Sequence, residues 1–440
     1  MQPRRLTCIT AMAVFAALTS PLELSAQAPQ KDSRPHNYYV FNLGAPLGGT
    51  SAAAASLNNI GWLAGDAYPT ATTEHAELWV GVPLDLGTLG GANSAVAWPN
   101  KNDKGEIVGI AETADTNPLG EDWSCALANF PTITNHICFG FAWQDGVMSP
   151  LSALPGGIDS YAAGVNNRGQ IVGWAENSVH ESTCVPPQVL QFEAVIWGPA
   201  LGHITELPPL PGDLDGAATA INDKGQVVGI SGICDQAVGR FSAKHAVLWD
   251  NGTPIDIGNF DGGVAWNTPT AINNKTQIVG FANLPNTPSG AFNPVAFLWT
   301  TEHLIQELLP VGQDTNSWAW GMNGQGQVVG QSFGASHARA FLYQDGKMTD
   351  LNTLIQPNSS LYLLLANDIN DHGEIGGFAL DTNSGATVAF LAVPVPDGGA
   401  SAATTGARAE GDPRKVTIPE SVRRQLTGFS LFAIGAVGSK

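Results

Sequence analysis

NDKGQVVG (residues 222–229) is one of seven versions of a single octapeptide in this chain of 440 residues. The others are NNIGWLAG (58–65), NDKGEIVG (102–109), NNRGQIVG (166–173), NNKTQIVG (273–280), NGQGQVVG (323–330) and NDHGEIGG (370–377). Their first residues lie 44, 64, 56, 51, 50 and 47 positions apart. Asn-Asn/Asp-x-Gly supplies residues that tolerate positive φ, and the Ile/Val-Val-Gly that follows alternates like a strand, so each copy reads as a β-hairpin turn. A turn repeated seven times at this period decides the fold before any local prediction does.

Each unit carries three further apolar runs. HAELW (75–79), GFAW (140–143), EAVIW (193–197), HAVLW (245–249), VAFLW (295–299), RAFLY (339–343) and VAFLA (388–392) form one set. PLDLG (83–87), SPLS (149–152), TELP (205–208), PIDIG (254–258), QELL (306–309) and TDLN (349–352) form a second. The segment ahead of each Asn, such as GAATAIN (216–222), supplies another strand. Four short strands every 44–64 residues is the period of a β-propeller blade. The last unit ends after VAFLAVPV (388–395) without its fourth strand, and YYVFNLG (38–44) matches the missing one. The expected fold is all-β: a seven-bladed β-propeller of four-stranded blades, its ring closed by the N-terminal strand completing the last blade. Closure removes the exposed edges of an open array. A β-helical solenoid, the main alternative, predicts no such complementary ends.

HAxLW and its variants, together with NxxGQIVG and LGTLGG (86–91), resemble the HAF repeat, a family named for its His-Ala-Phe triplet and regarded as an extracellular repeat. The resemblance covers roughly residues 37–395 in seven degenerate copies. Only His75 and His245 keep the His, and no copy reads His-Ala-Phe in full. The resemblance implies export and a repeat fold; it implies no activity and no catalytic residues.

The ends differ from the body. Residues 1–28 read as a secretory signal peptide: Arg4 and Arg5, an apolar run from Leu6 to Leu18, and the small-x-small site Ala26-Gln27-Ala28. The expected location is secreted or periplasmic. Residues 29–396 form the propeller, and residues 397–440 read as a flexible, small and polar linker followed by a short tail. The chain has 19 Lys+Arg against 38 Asp+Glu, a net charge of −19. The excess lies in residues 29–396, which hold 11 basic and 33 acidic side chains. Nucleic acid is excluded as a partner, because phosphate binding needs clustered cations. No apolar run is long enough for a membrane span in the mature chain, and ring closure makes a monomer the default.

In a propeller the first strand of each blade lines the axis, and the turns at the seven Asn lie on one face. The long insertions, near 111–137, 174–192, 231–243 and 282–294, all fall between second and third strands, hence on the opposite face. Variable loops on a rigid scaffold are where binding sites sit. Cys125, Cys138, Cys184 and Cys234 lie in or beside these loops, an even count that suits an exported protein. The expected pairing is Cys125–Cys138 within one loop and Cys184–Cys234 between neighbours; a metal site lacks CxxC or HxxxH spacing. Trp98, Tyr161, Trp266, Trp318 and Trp320 fall on or before first strands, where they are candidates to stack on a flat ligand such as a sugar. Axial plugging is the other reading. Trp79, Trp143, Trp197, Trp249, Trp299 and Tyr343 occupy one repeat position and read as packing between blades.

Asp213 and Asp215 in PGDLDG, with Asp261 in FDGG, are candidate ligands for a hard cation such as Ca²⁺, although no full calcium-loop consensus is present. No other cofactor is implied. Asp85, Glu206, Asp256, Glu307 and Asp350 recur at one position, which argues for turn-capping, because a catalytic acid–base pair occurs once. No G-x-S-x-G, phosphate loop or dinucleotide motif appears. The composition and motifs favour a non-catalytic binding or adhesion module, with polysaccharide or a cell-surface protein on the long-loop face. A propeller-type glycan hydrolase or lyase, using Asp213, Asp215, Asp261 or Asp314, is the alternative. A structural envelope or matrix protein is the third reading.

Overall fold

The computed structural model describes residues 38–395, except 45–48, 50, 122–124, 126–129, 133, 200–201, 235–242, 261–265, 286, 288–291 and 335–336. The expected signal segment (1–28) and the tail (397–440) lie outside the described residues. Seven four-stranded antiparallel sheets follow one another along the chain. Six are built outward in chain order from the inner strands Ala52–Leu57, Gly90–Ala95, Gly156–Val165, Asp215–Ile221, Asn267–Ile272 and Asn316–Met322. The seventh runs from Leu361–Ile369 through Ile375–Asp381 to Thr387–Pro394, and its outermost strand is Tyr38–Gly44. Val40 pairs with Ala392, and the Gln356 side chain clamps the junction by accepting from Val40 N at 2.7 Å and donating to Val40 O at 3.0 Å. The fold is the expected seven-bladed propeller, closed as expected.

The blades pack through the repeated aromatic of the third strand. Trp79, Trp143, Trp197, Trp249 and Trp299 are all buried in clusters that join adjacent sheets. Trp197 and Trp249 also donate to Ser152 O and Pro208 O at 3.0 and 2.7 Å. The final glycine of each octapeptide has a steric cause. A Cβ at Gly65, Gly109, Gly173, Gly229, Gly280, Gly330 or Gly377 would drive into an inner-strand carbonyl, closer than any real contact. Strand two passes over strand one there without room for a side chain.

The Asn of each octapeptide does more than permit a turn. Its Oδ1 accepts the amides two and four residues on, at 2.8–3.2 Å in every blade. Its Nδ2 donates to the backbone carbonyl of the corresponding Asn in the next blade. The series runs Asn58 to Asn102, Asn166, Asn222, Asn273, Asn323 and Asn370, then back to Asn58, at 2.9–3.2 Å. Seven buried side chains thus close a continuous hydrogen-bonded circle. The next residue adds an outer circle: the amides of Asn59, Asp103, Asn167 and Asp223 each donate to the carboxylate or amide oxygen of the following copy. Gly324 and Asp371 continue it, donating to Asp371 and Asn59. Gly324 has no side chain to accept from Asn274, so this circle has one gap. The positive φ expected of the turn belongs to its fourth residue, Gly in six copies (φ 71 to 90°) and Thr276 at 60° in the fifth.

Candidate functional site

The four long connections sit where expected, between second and third strands of blades two to five, opposite the asparagine circles. Cys125 pairs with Cys138 and Cys184 with Cys234, with Cα–Cα separations of 5.9 and 4.4 Å. The first disulfide closes a loop within blade two and the second ties blade three to blade four. Both pack against an aromatic cluster assembled from several blades around the axis.

That cluster absorbs the expected ligand-stacking residues. Trp98, Tyr161, Trp266, Trp318 and Trp320 are 0–5% exposed. Trp98 meets Trp320 edge to face at 5.5 Å, Tyr161 stacks on Trp174 at 4.3 Å, and Trp318 lies 4.9 Å from Phe333. Trp266 contacts Phe292 at 5.1 Å. The cause is volume. Several inner strands present Ala53, Ala95, Ala163 and Ala217 to the axis, and these small side chains leave room that the large rings of the cluster fill. In this structure the ring faces needed for a ligand are turned to one another.

The acidic candidates divide in the same way. Asp213 accepts from Ser231 at 2.8 Å and pairs with His245 at 2.7 Å and Lys244 at 3.1 Å. Asp314 accepts from Ser332 at 2.7 Å and pairs with His337 and Arg339. These are one arrangement in two blades: a carboxylate between a second-strand Ser and a third-strand His. Among the described residues no hydrogen bond joins either Ser to its His. Although Asp213 is buried, hydrogen bonds from His245, Ser231 and Lys244 hold its carboxyl below the usual range. Asp215 accepts from Phe192 N at 3.2 Å and is pushed up to about 7, chiefly by burial. Of the candidate cation ligands, Asp213 is committed to its ion pairs and Asp261 lies outside the described residues. Asp85, Asp256 and Asp350 cap turns as expected, accepting from Gly87, Gly258 and Asn352 amides at 2.8–2.9 Å.

Two carboxyl clusters went unread in the sequence. In blade one, Glu74 hydrogen-bonds both Asp66 and Tyr68. Asp66 and Glu74 are both buried: burial pushes Asp66 up to about 7 against the lowering pull of its contact with Glu74, and burial together with the Asp66 charge raises Glu74 well above the ordinary carboxyl range. The equivalent second-strand position holds Ile110, Trp174, Ile230, Phe281, Gln331 and Phe378 in the other blades, so this acid pair is not part of the repeat. The second cluster joins Glu121, Asp159 and Glu176, whose carboxylate oxygens lie within 4.8 Å of one another with all three residues buried. Their donors come from three elements. Glu121 accepts from Val189 N and Leu190 N at 2.6 and 2.7 Å, and Asp159 from Cys138 N and Asn117 Nδ2, both at 2.8 Å. Glu176 accepts from Asp159 N at 2.9 Å and from Gln188 Nε2 at 3.2 Å. The one available sequence signal was that Glu112 and Glu176 both break the apolar pattern of a second strand.

No family model and no curated protein sequence matches this chain. Solved structures do. The β-propeller domain of the trilobed protease from Pyrococcus furiosus is 9% identical with a TM-score of 0.45, over 78% of this chain and 94% of that one. An oligogalacturonate lyase in complex with manganese is 10% identical (TM-score 0.46; 82% and 97% covered). An Aleuria aurantia lectin in complex with a fucosyl-GlcNAc disaccharide is 12% identical (TM-score 0.35; 79% and 98%). At these identities and TM-scores none of them bears on what this chain does.

Proposed function

We propose that this propeller is an exported binding module whose ligand, a surface protein or polysaccharide, docks on the long loops of blades two to four. One observation carries the reading. Leu119, Val179, Val185 and Leu214 are 40–48% exposed and all belong to connections or strand ends on this face. Hydrogen bonds between those connections support a shared platform: Glu121 holds the amides of Val189 and Leu190, and Gln191 reaches from Asn177 to Leu214 O. Exposed aliphatic side chains on a braced loop platform suit a macromolecular partner. They favour a protein over a glycan, since the aromatics a sugar would stack on are buried.

The test is a binding panel of immobilised extracellular proteins and polysaccharides against the mature chain. Replacing Leu119, Val185 and Leu214 together by Ser should weaken any saturable binding at least tenfold with an unchanged melting temperature. Unchanged affinity in that variant, or no saturable binding to any member of the panel, would overturn the proposal.

A second reading, a glycan hydrolase or lyase, is favoured by the singular Asp66–Glu74 pair. Two buried carboxyls side by side, both raised above the ordinary range, have the form of an acid–base pair. Turnover of any glycan by the wild type, abolished in Asp66→Asn with the fold retained, would choose it over the binding reading.

A further inference from the structure

We infer that Glu77 makes the seam between blades seven and one a pH-sensitive clasp, closed while its carboxyl holds a proton and loosened when it ionises. The third strand of a blade turns alternate residues toward its two neighbours. Trp79 faces blade seven, in a cluster with Ala389, Leu43 and Leu391, whereas Leu78 faces blade two beside Phe141 and Val96. Glu77, two residues before Trp79, therefore lies on the seam side. Its equivalents are Phe141, Val195, Val247, Phe297, Phe341 and Phe390, each in the cluster against the preceding blade. At the one junction where the last blade meets the first, a carboxylic acid stands where the other six hold Phe or Val.

Nothing at the junction satisfies it. Glu77 is 0% exposed, and neither of its carboxyl oxygens has a hydrogen-bond partner. Its cross-strand neighbours are Gly65, which has no side chain, and Asp85, which is engaged by His75 and by Gly87 N, both at 2.8 Å. By the same alternation Asp66 and Glu74 lie on the opposite face, with Ala76 and Leu78. The inner strand of blade one, Ala52–Leu57, carries no ionisable group. On the strands of blade seven the ionisable groups are Tyr38, Tyr39, Tyr362, Asp368 and Asp381, and none of them bonds to Glu77. An unpaired buried carboxylate is costly, so the group keeps its proton: burial, with help from the Asp85 charge, pushes it up to about 7. Below its ordinary value of 4.5 the proton is held whether the seam is closed or open, and there is no penalty. From there to about pH 7 the open form releases the proton and the closed form does not, so closure weakens as pH rises.

The seam is built so that this charge can act on it. The hydrogen bonds that cross it include Asn367 Nδ2 to Ala54 O at 2.6 Å, Leu57 N to Asp368 at 2.9 Å and Asn370 Nδ2 to Asn58 O at 3.1 Å, with the Ser51 and Thr387 hydroxyls joined. Among the described residues none joins the third strand of blade one to blade seven. The packing is thin as well, since Ala52, Ala54, Ala67 and Ala389 make up most of the buried cluster. A charge on Glu77 thus loosens the outer half of the junction while the axial half stays pinned. Strands Thr73–Trp79 and Tyr38–Gly44 then lose their cover and fray.

Hydrogen–deuterium exchange of the mature chain at pH 5 and pH 8, corrected for the intrinsic rate, tests the clasp. With the ordinary value of 4.5 in the open junction and about 7 in the closed one, opening should be roughly 70-fold more frequent at pH 8 than at pH 5. The loss of protection should fall on residues 38–44, 73–79 and 387–394, and not on blade six (316–350). Glu77→Gln, and Glu77→Val as in blades three and four, should each abolish it, whereas Glu193→Gln should leave it in place. Seam protection independent of pH in the wild type, which needs no variant to fold, would overturn the clasp. So would a loss shared equally by blade six, which marks global unfolding, or one that persists in Glu77→Gln.

Discussion

Asn222→Ala tests whether the asparagine circle holds the ring or merely shapes its turns. Asn222 is buried and makes four hydrogen bonds: Oδ1 accepts from Lys224 N and Gln226 N, both at 3.0 Å, and Nδ2 donates to Gln226 Oε1 at 2.9 Å and to Asn273 O at 3.0 Å. Each is worth about 1 kcal/mol net, so removing all four should cost about 4 kcal/mol. Asn222→Asp keeps both accepted bonds but turns an acceptor toward two oxygens. Two lost bonds plus a partly buried unpaired charge give about 3 kcal/mol at neutral pH, falling to about 1 kcal/mol in acid as the carboxyl gains a proton it can donate. The control is Asn274→Ala in the outer circle, whose bonds to Asp223 are exposed and should contribute about 1 kcal/mol. Urea denaturation at pH 7 and pH 4 measures all three. If Asn222→Ala costs no more than Asn274→Ala, or if the Asp variant is insensitive to pH, the circle adds nothing beyond turn preference and the reasoning fails.

Completing the outer circle with Gly324→Asn should stabilise by about 0.5–1 kcal/mol, since Asn274 N gains an acceptor and Gly324 does not have positive φ; the Asp371 carboxylate must yield slightly, and a destabilised variant would show that it does not. Trp320→Ala should cost about 3–5 kcal/mol by emptying the axis, and a loss under about 1 kcal/mol would mean the plug is loosely packed. Breaking Cys184–Cys234, which closes 50 residues, should cost about 4 kcal/mol against about 3 for Cys125–Cys138, which closes 13; equal melting temperatures of the two Cys→Ser pairs would count against a chain-entropy origin. Stability should fall as pH rises from 5 to 9. Burial, with help from Glu206 and Asp215, pushes Glu193 up to about 9, so the folded state keeps a proton that the unfolded chain releases near its ordinary value. The penalty is absent below about pH 4.5 and grows by up to about 1.4 kcal/mol per pH unit until about pH 9. Glu193→Gln should flatten the melting profile over this range, and an unchanged slope would locate the titration elsewhere.

Whatever follows from position within a repeat unit was legible. The hairpin turn, the Trp between blades, the complementary termini and the cysteine pairing each follow from position within a unit, and position survives in a one-dimensional string. Even the asparagine circle left a trace: Asn stands first in all seven copies, where Asp or Ser would shape the turn as well, because the circle needs an acceptor and a donor on one side chain. What depends on the contents of other blades was not legible. Trp320 and Thr219 hold equivalent places on inner strands, and nothing local tells which fills the axis and which lines it; the outcome depends on what the other blades leave empty. The acids follow the same logic with more at stake. Asp66 stands where Trp174 stands two blades on, and Glu121 meets Glu176 only because two insertions fold over the same sheet. A repeat fold supplies identical places, so a residue that refuses the local pattern and is buried regardless has a reason outside its own blade. On this argument the chemistry of the ring belongs to the side chains that break its periodicity, and the Asp66–Glu74 pair and the Glu121–Asp159–Glu176 cluster are where substitutions should be made first.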